Sequence, residues 1–169
     1  DLAERIQVGM LNVLEERDVQ IRGYKIRLPL DVLLVATANP EDYTNRGRII
    51  TPLKDRFGSQ IRTHYPLDVA TEFEIMRQEA RPLSVGETVG VTVPEYLGEV
   101  VATFSQLARA SNHVNQRSGV SVRLSVSNYE ALAASALRRG LRAGEHAIVA
   151  RIDDLDALAA SSIGKIEIE

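Results

Sequence analysis

Polar residues at the end of one apolar run have the chemistry to contact a phosphate. The run is VLLVA (residues 32–36), and Thr37 and Asn39 follow it. An apolar run without alternation is typical of a strand buried on both faces of a parallel sheet, and ligands of open α/β sheets bind outside the carboxyl ends of strands. The Asn39 carboxamide both donates and accepts hydrogen bonds, which suits it to holding a water beside a phosphate. The alternative is an ordinary turn, since Asn before proline often starts one.

Two arginines have the charge to stabilise the same kind of anion. Arg56 stands in Asp55-Arg56-Phe57, where the ring would anchor the loop and the carboxylate would orient the guanidinium. Arg123 lies in GVSVRLS (residues 119–125), where a helix should begin, and the free N–H groups of a helix N-terminus also favour anions. Phosphoryl transfer demands mainly positioning and charge stabilisation at the phosphoryl oxygens. The alternatives are a surface Asp55–Arg56 pair, worth at most about 1 kcal/mol, and a solvated arginine at position 123.

The elements that would position Asn39 and Arg56 form a mixed α/β part, up to about residue 67. Helical spacing of apolar residues predicts a helix over 1–17, with Asp1 as its N-cap or first-turn acid. A period of two predicts a hairpin over 19–30, whose phase changes at Arg22-Gly23. The buried strand and a polar loop follow, and a brief last strand is predicted over 61–65.

From residue 68 onward the predicted structure is almost wholly helical. Asp68 is expected to cap a helix to about residue 80, and apolar periodicity predicts a second helix over 95–110. A third helix starts at either Ser121 or Ser127 and ends near Gly140 and Gly144. A short extended piece over 89–93 and a final helix over about 152–161 complete this part.

Composition and charge limit the classes of function. The chain has 169 residues, of which 44% are hydrophobic and 25% charged, as in ordinary globular proteins. A net charge of −3 gives no general electrostatic reason to bind nucleic acid or anionic membrane. The absence of Cys excludes disulfides and thiolate metal sites and fits a cytoplasmic protein. No signal peptide or membrane-spanning segment is predicted, because the apolar runs are only as long as strands.

The strand ending in Asn39 and the D-R-F loop resemble the second half of an AAA+ ATPase core of the magnesium-chelatase I-subunit or MoxR type. The resemblance implies an α/β partial AAA+ core over residues 1–67, with an incomplete parallel sheet, a helix and a hairpin. An α-helical lid subdomain over residues 68–169 would follow it. The resemblance also implies roles for three residues. Asn39 would be sensor 1, which orients the attacking water, and Arg56 would be the arginine finger, which reaches the neighbouring subunit's nucleotide. Arg123 would be sensor 2, which ties lid orientation to the γ-phosphate.

The resemblance further implies ATP and Mg²⁺ as cofactors, a homo-oligomeric ring, and a protein client or metal insertion as the work performed. The motif G-x-x-x-x-G-K-[ST] does not occur in the sequence, and neither does an apolar strand ending in paired acids. In the family these elements precede the helix that begins here at Asp1. We therefore expect a piece of a longer ATPase, which by itself holds no cofactor tightly and does not hydrolyse ATP.

Two other functions remain open. One is a non-enzymatic interaction module, in which the helical part from Asp68 onward is a docking domain. The other is an ATP-driven nucleic-acid machine, such as a transcription activator or helicase, with Arg22, Lys25 and Arg27 of the hairpin on DNA. In the resemblance the same hairpin projects toward the ring pore; the alternative is a plain edge hairpin. An incomplete parallel sheet exposes an apolar edge, so self-association is also expected.

Overall fold

A computed structural model of this chain describes residues 3–27, 29, 33–38, 49–81, 84–85, 89–115 and 120–166. The protein is mixed α/β and divides into two compact units, Asp1–Arg62 and Thr63–Glu169. Each unit has helices and strands of its own.

The described part of the first unit holds a helix, a β-hairpin and a second, short helix. They are α1 (Glu4–Glu15), β1 (Asp18–Ile21), β2 (Tyr24–Arg27) and α2 (Thr51–Lys54), with β1 and β2 antiparallel. The hairpin turns at Arg22 and Gly23, whose φ angles of 51° and 87° are the positive values that a type I′ turn requires. The predicted hairpin and its turn are confirmed.

Three predictions for residues 1–65, which reach just past this unit, are wrong. The first helix begins at Glu4, and its N-cap is Ala3 rather than Asp1. Residues 33–38 and 61–65 form no strand, and Leu33 and Val35 are 91% and 77% exposed. An apolar run becomes a buried strand only where neighbouring strands pair with its backbone. In the described part of this unit the sheet consists of the β1–β2 hairpin alone, so residues 33–36 have no such neighbours.

Helices dominate the second unit. Its described part contains α3 (Val69–Glu79), β3 (Ser84–Val85), β4 (Val89–Thr92), α4 (Glu95–Ala110), α5 (Val122–Ala143), β5 (Ile148–Val149), a 3-10 helix (Ile152–Asp156) and α6 (Ala157–Ser162). The strands form a sheet in the order β3-β4-β5, in which β3 is antiparallel to β4 and β5 is parallel to β4. The helices predicted over 95–110 and from Asp68 are confirmed, and the predicted final helix begins as a 3-10 turn.

Three helix ends of this unit follow known capping chemistry. Asp68 caps α3 by accepting the N–H of Thr71 at 2.7 Å, and Ser121 caps α5, which excludes the alternative start at Ser127. Gly144 ends α5 in the left-handed conformation, with a φ of 69°. Gly140 has a different use: it lies inside α5, and a Cβ there would overlap the Ile148 side chain.

One apolar core holds the second unit together. Its buried side chains come from α3, α4, α5, α6 and from β5 with the residue after it: Phe73, Met76, Leu97, Val101, Ala102, Leu132, Ala136, Ile148, Ala150 and Leu158. Helix α4 approaches α3 closely at Gly98, where a Cβ would overlap the Phe73 ring. This core fixes the helices from which the candidate site is built.

Candidate functional site

Asn39 lies outside the described residues, so its predicted role stays a prediction. The residues just before it that are described, 33–38, have no regular secondary structure, and Thr37 is exposed. The strand that was expected to present Asn39 is therefore not found in residues 33–38.

Arg56 follows α2, and its guanidinium is held at two points. Nη1 donates to the Pro52 carbonyl at 2.6 Å, and Nη2 lies 2.8 Å from Oε1 of Glu15 at the end of α1. The side chains of Arg56 and Glu15 are 29% and 56% exposed, and a pair this open to water is worth less than about 1 kcal/mol. The carboxylate that orients Arg56 is thus that of Glu15. The sequence had indicated Asp55 instead. An incoming anion would displace it at little energetic cost.

A buried glutamine fixes the start of the helix that precedes Arg56. Gln7 of α1 is 3% exposed, and its Oε1 accepts the N–H of Ile50, the N-cap of α2, at 2.9 Å. Leu53 of the same short helix is buried. These contacts attach α2 to α1, so the position of Arg56 is set by the longer helix.

Arg123 lies in the first turn of α5, the longest helix in the described part of the chain. Ser121 caps this turn, and its Oγ accepts the N–H of Arg123 at 3.2 Å. The Arg123 side chain is exposed, and no acidic side chain among the described residues pairs with its guanidinium. Arg56 belongs to the first unit and Arg123 to the second, and each setting is built from residues of its own unit.

A buried charged cluster that the sequence did not predict lies behind this first turn. Glu72 of α3 is fully buried, and its carboxylate accepts from Arg109 of α4 and from the Ser125 hydroxyl of α5. Arg109 Nη1 donates to Glu72 Oε2 at 2.7 Å, and Arg109 Nε donates to the Val120 carbonyl at 2.8 Å. The pair therefore contacts α5 at Ser125 and the chain just before α5 at Val120.

The same guanidinium also stacks on an aromatic ring. Arg109 Cζ lies 5.0 Å from the centroid of the Tyr65 ring, within the range of a cation–π contact. A sequence signal for this cluster did exist: Glu72 comes four residues before Met76 and directly before Phe73, so a charge stands on the apolar face of α3. A charge in that position is buried only if a partner meets it.

A second charged cluster joins the C-terminal half of α5 to the 3-10 helix. Arg139 donates to Asp154 at 3.0 Å and to the Val149 carbonyl at 2.7 Å, and Glu145 lies between Arg139 and Arg151. Burial raises the pKa of Asp154, but the Arg139 hydrogen bond, the Arg151 N–H and the Arg139 charge outweigh it, so this pKa lies below its usual value. The open depression beside it, about 420 Å³, is lined by arginines and aspartates together. We interpret this cluster as structural.

The hairpin carries less free positive charge than its sequence indicated. Lys25 Nζ lies 3.2 Å from Glu16 and 3.5 Å from Asp18. The hydrogen bond to Glu16 and the charge of Asp18 raise the pKa of Lys25. One of the three basic residues predicted to face DNA is therefore already paired with two acids.

In the part of the chain that the structure describes, no three His, Asp or Glu side chains are grouped to hold a metal ion, and no helix has the length and apolarity needed to cross a bilayer. No protein-family model, no curated protein and no solved structure matches the chain.

Proposed function

We propose that this chain is the later part of a ring-forming AAA+ ATPase, in which ATP hydrolysis drives remodelling of a protein or metal insertion. Residues 1–67 would belong to the αβα core and residues 68–169 to the helical lid. Asn39 would poise the attacking water, Arg56 would stabilise transition-state charge in the adjacent subunit, and Arg123 would couple the lid to the nucleotide. The ring would be homo-oligomeric, and its setting cytoplasmic.

The observation that carries the proposal is the setting of Arg123. The exposed Arg123 guanidinium, which has no ionic partner among the residues that the structure describes, stands in a capped first turn, where the helix dipole already attracts negative charge. A purely structural arginine is better placed in the last turn of a helix, because there it complements the dipole. At the N-terminus the arginine is electrostatically unfavourable until an anion arrives. A triphosphate is an anion of that kind.

Arg56 supports the proposal in a second way. Its guanidinium is partly exposed and pre-oriented by the Pro52 carbonyl, while its carboxylate partner, Glu15, is one that water screens. An arginine finger must leave its resting contact for a phosphate on another subunit. A weak surface pair permits this exchange, whereas a buried pair would not.

The residues of this chain fit only part of the implied cofactor. ATP with Mg²⁺ supplies the phosphoryl group and the charge neutralisation of the reaction. The guanidinium groups of Arg56 and Arg123 suit phosphate oxygens. Among the described residues no three acidic or histidine side chains are grouped to hold a metal ion, and the phosphate-loop motif does not occur in the sequence. In the proposal these two functions come from another part of the same ATPase.

The test is turnover by the complete ATPase with Arg56→Ala, compared with Arg62→Ala as a matched exposed arginine. Arg56→Ala should lower kcat by roughly 10³- to 10⁵-fold, as loss of an arginine finger does, and leave nucleotide affinity unchanged. Arg62→Ala should leave both unchanged. A loss below about tenfold for Arg56→Ala would contradict the finger role. ATP turnover by the 169-residue chain alone would contradict the proposal that another part of the ATPase supplies the phosphate loop and the acidic Mg²⁺ ligands.

The non-enzymatic interaction module is the second candidate, and one observation favours it. Helix α4 exposes apolar side chains at helical spacing, namely Tyr96, Val100, Phe104 and Leu107. The discriminating observation is the sequence that adjoins Asp1 in the gene. A phosphate loop and an acidic strand end there support the ATPase, and their absence supports the module.

A nucleic-acid machine is less favoured, because Lys25 of the hairpin is paired with Glu16 and Asp18. DNA binding that weakens with salt and is lost on neutralising Arg22, Lys25 and Arg27 would reverse this preference.

A further inference from the structure

Two contacts hold the first turn of α5, one on each side of Arg123. On one side, Arg109 Nε donates to the carbonyl of Val120, the residue before the N-cap. On the other side, the Ser125 hydroxyl donates to Glu72. Both contacts lead to the same Glu72–Arg109 ion pair. The turn that presents Arg123 is therefore attached to α3 and α4 through one pair of charges.

Burial makes this attachment rigid. Glu72 and Ser125 are fully buried, and the Arg109 side chain is 12% exposed. Arg109 engages through Nε and both Nη atoms at once, a planar arrangement that lysine cannot reproduce. The face of the guanidinium is covered in addition by the Tyr65 ring. A guanidinium held by all these contacts has one orientation, and it holds the Glu72 carboxylate and the Val120 carbonyl in place.

We propose that the Glu72–Arg109 pair is a positioning pair for Arg123. It sets the place and direction of the first turn of α5 and hence the direction from which Arg123 approaches an anion. The inference rests on the role proposed above for Arg123. Glu72, Arg109 and Ser125 are positioning residues here, because they act on the anion only through the turn that carries Arg123.

The first experiment needs only the 169-residue protein and compares two buried serines. Ser125→Ala removes the hydroxyl that donates to Glu72 on another helix, while Ser105→Ala removes an equally buried hydroxyl whose hydrogen bond among the described residues goes to its own helix, at the Val101 carbonyl. Amide hydrogen exchange over residues 121–126 should become about tenfold faster in Ser125→Ala, since an interhelical hydrogen bond is lost. In Ser105→Ala it should stay within about twofold of the unmodified protein. Equal exchange in the two variants would overturn the proposal.

The second experiment measures turnover in the complete ATPase as a double-mutant cycle of Ser125→Ala and Arg123→Ala. Ser125→Ala should lower kcat by about five- to 100-fold, as misplacement of a catalytic group does, and should have no further effect once Arg123 is absent. Additive effects would overturn the positioning role while leaving the proposed function intact. If Arg123→Ala alone leaves turnover unchanged, the role of Arg123 fails, and the positioning proposal fails with it whatever the exchange result.

Discussion

Replacing Arg109 by Met should destabilise the second unit by about 3–5 kcal/mol, because removal of one partner leaves a charge buried without compensation. Glu72 is fully buried, and after the change only the Ser125 hydroxyl would remain of its described side-chain partners. The Val120 carbonyl would also lose its hydrogen bond from Arg109 Nε, which is worth about 1 kcal/mol. Met keeps most of the volume of the side chain, so the effect is electrostatic rather than a matter of packing.

Urea unfolding followed by far-UV circular dichroism measures this loss. With a denaturant dependence near 2 kcal/mol per molar, the midpoint should fall by roughly 2 M. The matched control is Arg151→Met, which removes an ion pair of the same unit whose Arg151 and Glu145 side chains are 58% and 26% exposed. That change should cost less than about 1 kcal/mol, since water screens the pair.

A double variant separates the charge from other effects of the substitution. In Glu72→Met with Arg109→Met the buried charge is gone, and a buried ion pair replaced by apolar residues is often neutral in stability. More than half of the loss in Arg109→Met should therefore be recovered. The reasoning is refuted if Arg109→Met costs no more than Arg151→Met, or if the double variant is less stable than Arg109→Met alone.

Two further predictions concern packing and pH. Gly98→Ala should destabilise by about 1–3 kcal/mol, because its Cβ would overlap the buried Phe73 ring, whereas Gly9→Ala, with nothing within 4 Å, should stabilise α1 by up to about 1 kcal/mol. Thermal unfolding of the two variants would show opposite signs. Asp154→Asn should cost about 1–3 kcal/mol at neutral pH. Burial raises the pKa of Asp154, but the Arg139 hydrogen bond and charge outweigh it, so the pKa in the folded protein is lowered. The stability that ionised Asp154 contributes is therefore present above the unfolded pKa of about 3.9 and is lost as pH falls through the lower folded pKa. Unfolding free energies of Asp154→Asn and the unmodified protein should therefore converge in acid, and a constant difference would contradict the assignment.

Local chemistry predicted the helices and the hairpin well. Asp68 caps α3 as its position before the helix indicated, and the turn at Arg22-Gly23 was predicted because the period-two pattern changes phase there. The choice between Ser121 and Ser127 stayed open, since both precede helical spacing. In the structure this choice is decided by residues that pack behind the turn. They lie far away in the sequence, so no local pattern predicts them.

Strands and partners were harder to predict because they depend on residues far away in the chain. The run over 32–36 has the composition of a buried strand, yet residues 33–36 have no neighbour to pair with in the described part of their unit. The carboxylate that pairs with Arg56 belongs to Glu15 rather than to the adjacent Asp55. Glu72, Arg109 and Ser125 likewise stand on three helices, and their separations in sequence follow no helical or strand period.

The parallel pairing of β4 with β5 has a consequence for biosynthesis. Val91 lies opposite Ile148, and both α4 and α5 separate the two strands along the chain. In a growing polypeptide, the side of α5 at Gly140, which Ile148 covers in the folded protein, would therefore stay exposed until the segment around Ile148 leaves the ribosome. Ribosome-bound chains halted before that segment should be digested by proteases within this unit, and chains only slightly longer should resist.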